Sequence, residues 1–599
     1  MASSSTQPVA DSTADTLRQR GTGAAATDND GASHHLLNRA QEHSSGLTSP
    51  DGASALGLGG GSLAVEKSAG SDGAAASGQG LSAKDKQAIA LLVVLYLLQG
   101  VPVGLAFGTM PYLLKSRVSY SDIGTFAFST WPYSLKLLWS PIVDSLFVES
   151  LTIPLLGTKL SLGRRKSWIV PFQLIIGAMM YYLGGNVDKL LLTDHPDVNY
   201  ITLLFFLLVL FAATQDIAVD GWALTLLSQE SVGYASTAQT FGLNTGYFLS
   251  FTVFLAFNSI EFSNKYFRPE PLDYPLITLG GYMQFWAFGF LIVTTWLLFM
   301  KKEDPDDESD DMGVKGVYNI MWRIMKLKHV RAFIIVHLVS KIGFQANEAV
   351  TGLKLVEKGF GKEDFALTVL IDFPFQLLFG YLAARWSQGS NALRPWIWAF
   401  FGRLAFAVIS MGMVYYVPSS PIPYSYFALI IFVTVASGFA STVQFVGITA
   451  FHTQIADPVI GGTYMTLLNT VSNMGGTWPR SFVLKGVDLL TVANCQPPSS
   501  LKGGAASELW NDPTLQPAGF TKECVTDAGK ALCDSAGGEC VIERDGYYAT
   551  SAVCVGIGFV LLVGYIIPVC RRLQSLPIQE WRVSMGGVPG TAAKGGKAS

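Results

Sequence analysis

The chain has 599 residues and a formal net charge of −3, and 50% of its residues are hydrophobic while only 14% are charged. A mean hydropathy of +0.35 with so few charges excludes an ordinary soluble globular protein. We therefore expect the lipid bilayer as a partner and no nucleic-acid partner.

Residues 1–84 are predicted to be a disordered cytosolic tail. They are rich in Ser, Gly and Ala and cannot bury enough apolar surface to order themselves. They contain no charged start followed by an early apolar run, so we expect no cleaved signal peptide. The first apolar helix is then expected to direct membrane insertion.

Twelve apolar runs follow, each near the ~20 residues that cross a bilayer as a helix. They cover residues 87–109, 124–143, 168–183, 201–224, 234–257, 279–300, 332–353, 365–384, 396–417, 426–451, 463–484 and 548–569. The sequence therefore predicts an all-α membrane protein, a bundle of about 12 helices (~20 residues each). The predicted parts are an N-terminal six-helix half at 85–300, a cytosolic linker at 301–331, a C-terminal six-helix half at 332–572 and a cytosolic tail at 573–599.

The fourth run ends in an acidic pair, Asp216 and Asp220, with Gln215 directly before it. A spacing of four places both carboxylates on one face of a helix. A charge at bilayer depth is costly and usually faces a partner or a water-filled cavity. We interpret these residues as groups that hold cations, gate a transport pathway or couple transport to protons.

The two halves show a weak internal repeat. Residues 234–240 resemble residues 464–470, and Gly246 and Gly476 follow at the same offset. A parallel repeat of six and six helices is the architecture of major-facilitator transporters, whose site lies between the halves near mid-membrane. In the linker, residues 314–329 are predicted to form a basic amphipathic segment on the membrane surface.

Lys and Arg are denser in the short loops that share a side with both termini. The positive-inside rule therefore places both termini in the cytosol. The opposite side carries a long loop at 490–546, whose cysteines indicate two disulfides in an oxidising compartment. Unpaired thiols in a variable insert are the alternative. The disulfide candidates are Cys495, Cys524, Cys533 and Cys540.

Several segments together resemble the acetyl-coenzyme A transporter family of the endoplasmic reticulum. They are residues 98–102 (LQGVP), 131–141 (WPYSLKLLWSP), 163–168 (GRRKSW), 214–224 (TQDIAVDGWAL) and 232–237 (VGYAST). Bacterial muropeptide permeases are similar more distantly, through the Gln-Asp-x-x-x-Asp pattern of the fourth run. The resemblance implies a major-facilitator fold in the endoplasmic reticulum membrane and import of acetyl-CoA into the lumen in exchange for CoA. It implies no cofactor.

Asp144, with Arg164 and Arg165 further along the chain, resembles a stretched version of the facilitator loop between helices two and three. In that loop an acid at a helix end pairs with a basic cluster and holds one conformation. Here residues 145–162 separate the two parts, which argues against a direct pairing.

A site for acetyl-CoA needs Arg or Lys donors for the phosphates, a planar group for adenine and an apolar slot for the pantetheine arm. The alternative is that the buried cations only neutralise buried acids such as Glu348. We expect Arg403 to pair structurally, and we expect His452 to be a membrane-interface histidine. The substrate-binding candidates are Lys136, Lys341, Gln345, Trp478 and Arg480.

Three functions stay open. The first is an acetyl-CoA transporter, the second a transporter of another bulky anion such as a nucleotide, a muropeptide-like or a glutathione-like solute, and the third a membrane acetyltransferase. The sequence offers no metal-ligand cluster, phosphate-binding glycine loop or Ser/His/Asp set, which disfavours the enzyme. We expect a transporter with acetyl-CoA and CoA as partners, and a homodimer is the one assembly that we allow for.

Overall fold

A computed structural model describes residues 82–581, except 116, 149, 154–157, 192, 194–195, 229–230, 232–233, 302, 304–313, 388–392, 419–421, 457–460 and 498–521. The predicted N-terminal tail up to residue 81 and the C-terminal tail from residue 582 lie outside the described residues. Residues 304–313 of the linker also lie outside them. Within the described part, helical stretches follow one another in the order that the apolar runs predict.

We number these stretches segments 1 to 12. They are Ala83–Lys115, 120–145, Gly163–Leu191, Val198–Leu226, 234–257, Leu279–Met300, 328–357, Lys362–Trp386, Leu393–Tyr415, Tyr424–Ile455, Gly461–Leu490 and Gly546–Gln574. Segment 2 is interrupted by the tight turns Ala127–Thr130 and Lys136–Leu138, and segment 7 by Ile342–Phe344. The predicted all-α membrane class is confirmed.

Eight segments of the described chain are long and apolar enough to cross a membrane by length and composition. The four that fall short are segments 2, 7, 8 and 11. These segments carry charged residues of the bundle, namely Lys136, Glu348, Asp372 and Arg480 in that order. Segments 2 and 7 fall short because turns divide each of them into shorter helices. Charged groups at bilayer depth usually face the bundle interior.

The segments pack in the same way in the two halves. In the first half, segment 1 packs on segment 5, segment 3 on segment 6 and segment 2 on segment 4. In the second half, the equivalent pairs are segments 7 and 11, segments 9 and 12, and segments 8 and 10. Segments 1 and 5 touch through Gly100 and Gly246, where a side chain on Gly246 would collide with the carbonyl of Leu97. A parallel repeat requires this recurrence of neighbours.

The apolar core is continuous between the halves at one end only. Toward the loop that carries the cysteines, one cluster includes Tyr112 and Phe254 of the first half and Leu353, Phe365 and Leu484 of the second. At the other end the described residues form separate clusters, one in the first half and two in the second, apart from Leu137 of segment 2, which joins the larger second-half cluster. The halves are therefore closed against each other on the side of the cysteine loop.

Two small hairpins and one helix fill the connections. Strands β1 (Ser150–Ile153) and β2 (Thr158–Ser161) pair antiparallel between segments 2 and 3. The linker forms the helix Val314–Lys326, which is shorter than the predicted surface segment because the next helix already begins at Lys328.

The long loop before segment 12 is held by two disulfides. Strand β3 (Val492–Gln496) pairs antiparallel with β4 (Glu539–Arg544), and the helix Asp527–Ser535 lies between them in sequence. Cys495 is bonded to Cys533 and Cys524 to Cys540. The four cysteines that the sequence singled out thus pair among themselves, and the alternative of free thiols does not apply to this structure.

Candidate transport site and its gates

Lys136 and the two acids of segment 4 form a buried ion cluster, which we call the acid–lysine triad. The Nζ of Lys136 contacts the carboxylate of Asp216 and lies 3.6 Å from Oδ2 of Asp220. Asp216 is fully buried, and the ammonium also lies 5.4 Å from the ring centroid of Tyr133. Of the two roles considered for Lys136, these contacts favour the neutralising one.

Two further segments complete the surroundings of Asp220. Its Oδ1 accepts hydrogen bonds from the hydroxyl of Tyr96 at 2.9 Å and from Nε2 of Gln239 at 2.8 Å. Gln215 is buried beside the pair, and its side chain makes no hydrogen bond to another described residue. All of these partners belong to segments 1, 2, 4 and 5, so the triad lies within the first half.

Asp144 and Arg165 are in direct contact, so the expectation drawn from their separation in sequence is wrong. Nη1 of Arg165 lies 2.6 Å from Oδ1 of Asp144, and Arg164 donates from Nε and Nη2 to the carbonyl oxygen of Asp144 at 2.9 and 2.5 Å. The β1–β2 hairpin folds the intervening residues back on themselves. The end of segment 2 therefore meets the start of segment 3 directly.

Glu303, just after segment 6, ties the same corner to the linker. Its carboxylate accepts the backbone N–H groups of Arg165 at 2.8 Å and of Lys166 at 2.9 Å. Negative charge is favourable at this position because it faces the N-terminus of a helix. This corner joins segments 2, 3 and 6, which all belong to the first half.

Arg403 of segment 9 pairs with Glu348 of segment 7, in the structural role that we expected for this arginine. Its Nη1 also donates to Oε1 of Gln444 at 2.6 Å, and its guanidinium lies 3.5 Å from the ring centroid of Phe344. Lys341 lies at the break in segment 7 and lines a polar cavity together with Glu348 and Arg403. The second half thus has an ion cluster of its own.

Arg480 is buried where the two halves meet. It follows Pro479 inside segment 11 and interacts electrostatically with the phenols of Tyr112 in segment 1 and Tyr247 in segment 5. Within the described chain no carboxylate pairs with Arg480. Among the substrate-binding candidates, this side chain brings a cation to the interface between the halves without a neutralising acid.

Trp478 and Gln345 are placed differently from each other. Nε1 of Trp478 donates to the carbonyl oxygen of Leu338 at 2.9 Å, so the indole is fixed against segment 7. Gln345 is buried, and its Oε1 has no hydrogen-bond partner in the part of the chain that the structure describes. A buried amide oxygen of this kind is a group that a ligand or a water can satisfy.

His452 is buried, so the expectation of an interface histidine is wrong. Its Nε2 lies 2.9 Å from Nε2 of His337, and its Nδ1 lies 3.1 Å from Oδ1 of Asn469. Phe333 and Trp581 cover this end of the pair through ring contacts. Because Trp581 follows segment 12, the burial of His452 depends on a contact between distant parts of the chain.

Another ion cluster, which the sequence pattern did not reveal, joins the two halves beside the cysteine loop. Oε2 of Glu357 lies 3.1 Å from Nζ of Lys115 and accepts a hydrogen bond from the hydroxyl of Tyr120 at 2.7 Å. Oε1 of Glu357 lies 2.6 Å from Nζ of Lys354. Nζ of Lys354 also lies 2.6 Å from Oδ2 of Asp545. We call these five residues the inter-half gate cluster.

Asp488 adds a further bridge at this end. It belongs to segment 11, and its Oδ2 accepts the backbone N–H of Ser121, at the start of segment 2, at 2.5 Å. Asp545 follows β4 and caps segment 12 by accepting the N–H of Tyr547 at 3.0 Å. The gate cluster is thus joined directly to the disulfide-bonded loop. The signal available in the sequence was the presence of acids and lysines at the ends of segments, but their pairing depends on which ends meet.

The profile of a protein family described as "Acetyl-coenzyme A transporter 1" matches residues 88–310, 306–394 and 389–583. The chain belongs to this family. The predicted resemblance is therefore confirmed, and the protein is a multi-pass membrane transporter of the major-facilitator type.

Similar proteins occur in yeasts and bacteria. An uncharacterized membrane protein of Saccharomyces cerevisiae is 42% identical over 570 residues, which cover 82% of this chain and 96% of that protein. An uncharacterized protein of Schizosaccharomyces pombe is 41% identical over 84% of this chain and 90% of that protein. The anhydromuropeptide permease of Escherichia coli is 24% identical over 27% of this chain and 30% of its own. A solved bacterial homologue of the human lysosomal transporter Spinster, in an inward-facing state, covers 84% of this chain and 100% of its own with 13% identity and a TM-score of 0.47.

Proposed function

We propose that the protein carries acetyl-CoA across the endoplasmic reticulum membrane, from the cytosol into the lumen, in exchange for CoA. The observation that carries this proposal is Arg480, a buried cation between the two six-helix halves. It interacts electrostatically with two phenols, and no carboxylate of the described residues pairs with it. A transported polyanion would supply the missing negative charge.

The chemistry of the interface suits a phosphorylated thioester. An Arg guanidinium donates paired hydrogen bonds to phosphate oxygens. Arg480 interacts electrostatically with the phenols of Tyr112 and Tyr247, and each phenol can donate a hydrogen bond or stack on a purine. Lys341 in the second-half cavity is a second phosphate donor in this proposal, and Oε1 of Gln345 can accept an N–H of the pantetheine arm.

The acid–lysine triad takes no part in binding phosphate here. Asp216 and Asp220 already hold Lys136, and their charge would repel a polyanion. We assign them to holding the first half together, and we assign Asp144 with Arg165 to fixing the corner between segments 2 and 3.

With both termini in the cytosol, the continuous core and the gate cluster face the lumen. The lumenal side is then the closed one, and substrate would enter from the cytosol. Labelling intact microsomes with an impermeant maleimide after reduction tests this orientation. Modification of the four loop cysteines only after permeabilisation is expected, and modification in sealed microsomes would overturn it.

Uptake of doubly labelled substrate into proteoliposomes tests the function itself. Acetyl-CoA carrying one label on the acetyl group and another on CoA should enter with both labels at a constant ratio, and CoA preloaded inside should accelerate entry. Uptake of the acetyl label alone would show an acetyltransferase instead. If nucleotides, muropeptides or glutathione conjugates enter and acetyl-CoA does not, the substrate assignment is wrong.

Variants of the interface cations separate binding from folding. Arg480→Ala and Lys341→Ala should weaken the Kd for acetyl-CoA, by roughly 1.5–3 kcal/mol for each charge-assisted hydrogen bond lost. Lys485→Ala on the same segment as Arg480 is the matched control, because Lys485 is exposed. Unchanged Kd in both interface variants would remove the phosphate role.

A further inference from the structure

His337 of segment 7 and His452 of segment 10 face each other, and the proposed function assigns neither of them a role. The two rings are buried, on segments 7 and 10, with their Nε2 atoms 2.9 Å apart. At this distance a single hydrogen must lie between the two nitrogens, because two N–H groups would collide and two bare nitrogens would repel. The pair therefore has one donor and one acceptor.

The neighbouring amide decides which ring donates. Nδ1 of His452 lies 3.1 Å from Oδ1 of Asn469, an oxygen that can only accept. Nδ1 of His452 therefore carries its hydrogen, so Nε2 of the same neutral ring accepts. Nε2 of His337 is then the donor, and Nδ1 of His337 has a free lone pair.

His337 also lines the polar cavity of the second half, beside Lys341, Glu348 and Arg403. A polar cavity of this kind can hold water, and water would give a proton a route to the ring. On the opposite side Phe333 lies 4.4 Å from His337 between ring centroids, and Trp581 closes that end. The pair is thus accessible from the cavity and covered elsewhere.

Charged groups lie around the cavity and at the covered end of the pair. Lys341 and Glu348 of segment 7 and Arg403 of segment 9 line the cavity with His337, and His329 of segment 7 contacts Glu580 beside Trp581. Arg403 and Glu348 neutralise each other, and segment 11 presents the uncharged Asn469. The charge of the cavity therefore changes with whether a polyanion is bound.

We propose that His337 and His452 form a proton-binding pair that couples substrate transport to the movement of a proton, an inference that rests on the proposed transport function. A proton from the cavity binds Nδ1 of His337, the hydrogen between the two Nε2 atoms stays shared, and the pair then carries one positive charge. The same proton returns from Nδ1 of His337 to the cavity after the substrate has left. The pair thereby regains its neutral form with its original tautomers.

A bound polyanion favours the protonated pair, because its charge is partly neutralised. Segments 7 and 10, which carry the two rings, are both in the second half, so the proton can stay with that half as the halves move. The pair would thus add positive charge to the loaded carrier and release it after the substrate has left.

The test uses the full chain in proteoliposomes with a pH-sensitive dye inside. Addition of acetyl-CoA should move protons, and a gradient of about one pH unit, a factor of about ten in proton activity, should change the initial uptake rate several-fold. His337→Gln and His452→Gln should lose both responses. His452→Gln, whose side chain does not line the cavity, should retain acetyl-CoA/CoA exchange at equal pH within a factor of about two. His329→Gln is the control, since His329 is on the same segment and contacts Glu580. Histidine variants that respond to the gradient like the unmodified protein would overturn the proposal.

A second measurement separates this proposal from the proposed function. Selective isotope labelling of the 7 histidines gives imidazole signals that the two variants assign, without any substrate. Two signals that titrate together, and that separate when either partner is replaced, support the shared proton. Independent titration of the two rings would overturn the proton-binding pair even if acetyl-CoA is transported. Coupled titration in a protein that does not transport acetyl-CoA would overturn only the substrate assignment.

Discussion

The acid–lysine triad and the inter-half gate cluster are two ion networks that join different parts of the protein: the triad joins segments of one half, and the gate cluster joins the two halves. The triad connects segments 1, 2, 4 and 5 and lies within the first half. The gate cluster connects Lys115 and Tyr120 of the first half to Lys354, Glu357 and Asp545 of the second. A transporter that opens by separating its halves must break the second network in each cycle and never needs to break the first.

Their surroundings agree with this difference. Asp216 is fully buried, so a broken triad would leave a charge without water. The side chain of Glu357 is 27% exposed and lies at the end of its helix, so water can replace its partners when the halves separate. An ion pair can act as a gate only where solvent replaces the lost partner, because otherwise the cost of opening approaches that of a buried unpaired charge.

The largest effect is expected for Lys136→Met. It leaves two carboxylates without a cation, which should lower the free energy of unfolding by about 3–5 kcal/mol, and thermal melting in detergent measures it. Lys485→Met is the control because it removes an exposed cation. A melting temperature equal to that of the control would show that the triad does not hold the first half together.

Replacing one acid of the triad should affect stability more than substrate binding. Asp216→Asn and Asp220→Asn leave Lys136 with one carboxylate each, so the free energy of unfolding should fall by roughly 1–3 kcal/mol, which thermal melting in detergent measures. The Kd for acetyl-CoA should stay the same or become tighter, since local negative charge is removed. Loss of binding in both variants, with binding kept in Arg480→Ala, would reverse the assigned roles.

Glu357→Gln should weaken the closed state of the gate while leaving the fold intact. Its partners Lys115 and Lys354 lose a carboxylate that bridges the halves, so we expect uptake to fall by about tenfold, or roughly 1.4 kcal/mol, with little change in melting. Glu539→Gln in the exposed part of β4 is the control. Equal loss of uptake and of thermal stability would identify Glu357 as a folding residue instead.

Opening the disulfides of the loop should have a smaller effect on the same gate. Asp545 is held next to β4, whose Cys540 is bonded to Cys524, so Cys524→Ser with Cys540→Ser should loosen Asp545 and reduce uptake about two- to threefold, less than 1 kcal/mol. Combining this change with Asp545→Asn should add nothing further, because both act on one contact. Additive losses would place the loop outside the gate.

The smallest effect is expected for Asp144→Asn. The side chain of Asp144 is 46% exposed, and an exposed ion pair contributes about 0.2–1 kcal/mol. Glu303 also holds the start of segment 3, so stability should change little, as thermal melting at low and high salt can establish. A loss as large as that of Lys136→Met would make this corner equivalent to the triad.

The membrane class, the order of the twelve segments and the family could be predicted from the sequence because each depends on local pattern. Apolar runs of spanning length report burial directly, and the spacing of Asp216 and Asp220 places both on one helix face. Both acids indeed reach one lysine. The four clustered cysteines likewise belonged to one loop and pair within it.

The tertiary structure decided which charges meet. Asp144 and Arg165 are brought together by a hairpin whose fold the separation in sequence concealed. Glu357 and Lys115 are more than two hundred residues apart, and His452 is buried by a turn that follows the last segment. Helix periodicity shows which face of a segment is polar, but a partner on another segment depends on how the helices pack, which no local pattern encodes. The sequence by itself therefore determined the segments and their polar faces, and packing between distant segments determined the triad's closure, the gate and the histidine pair.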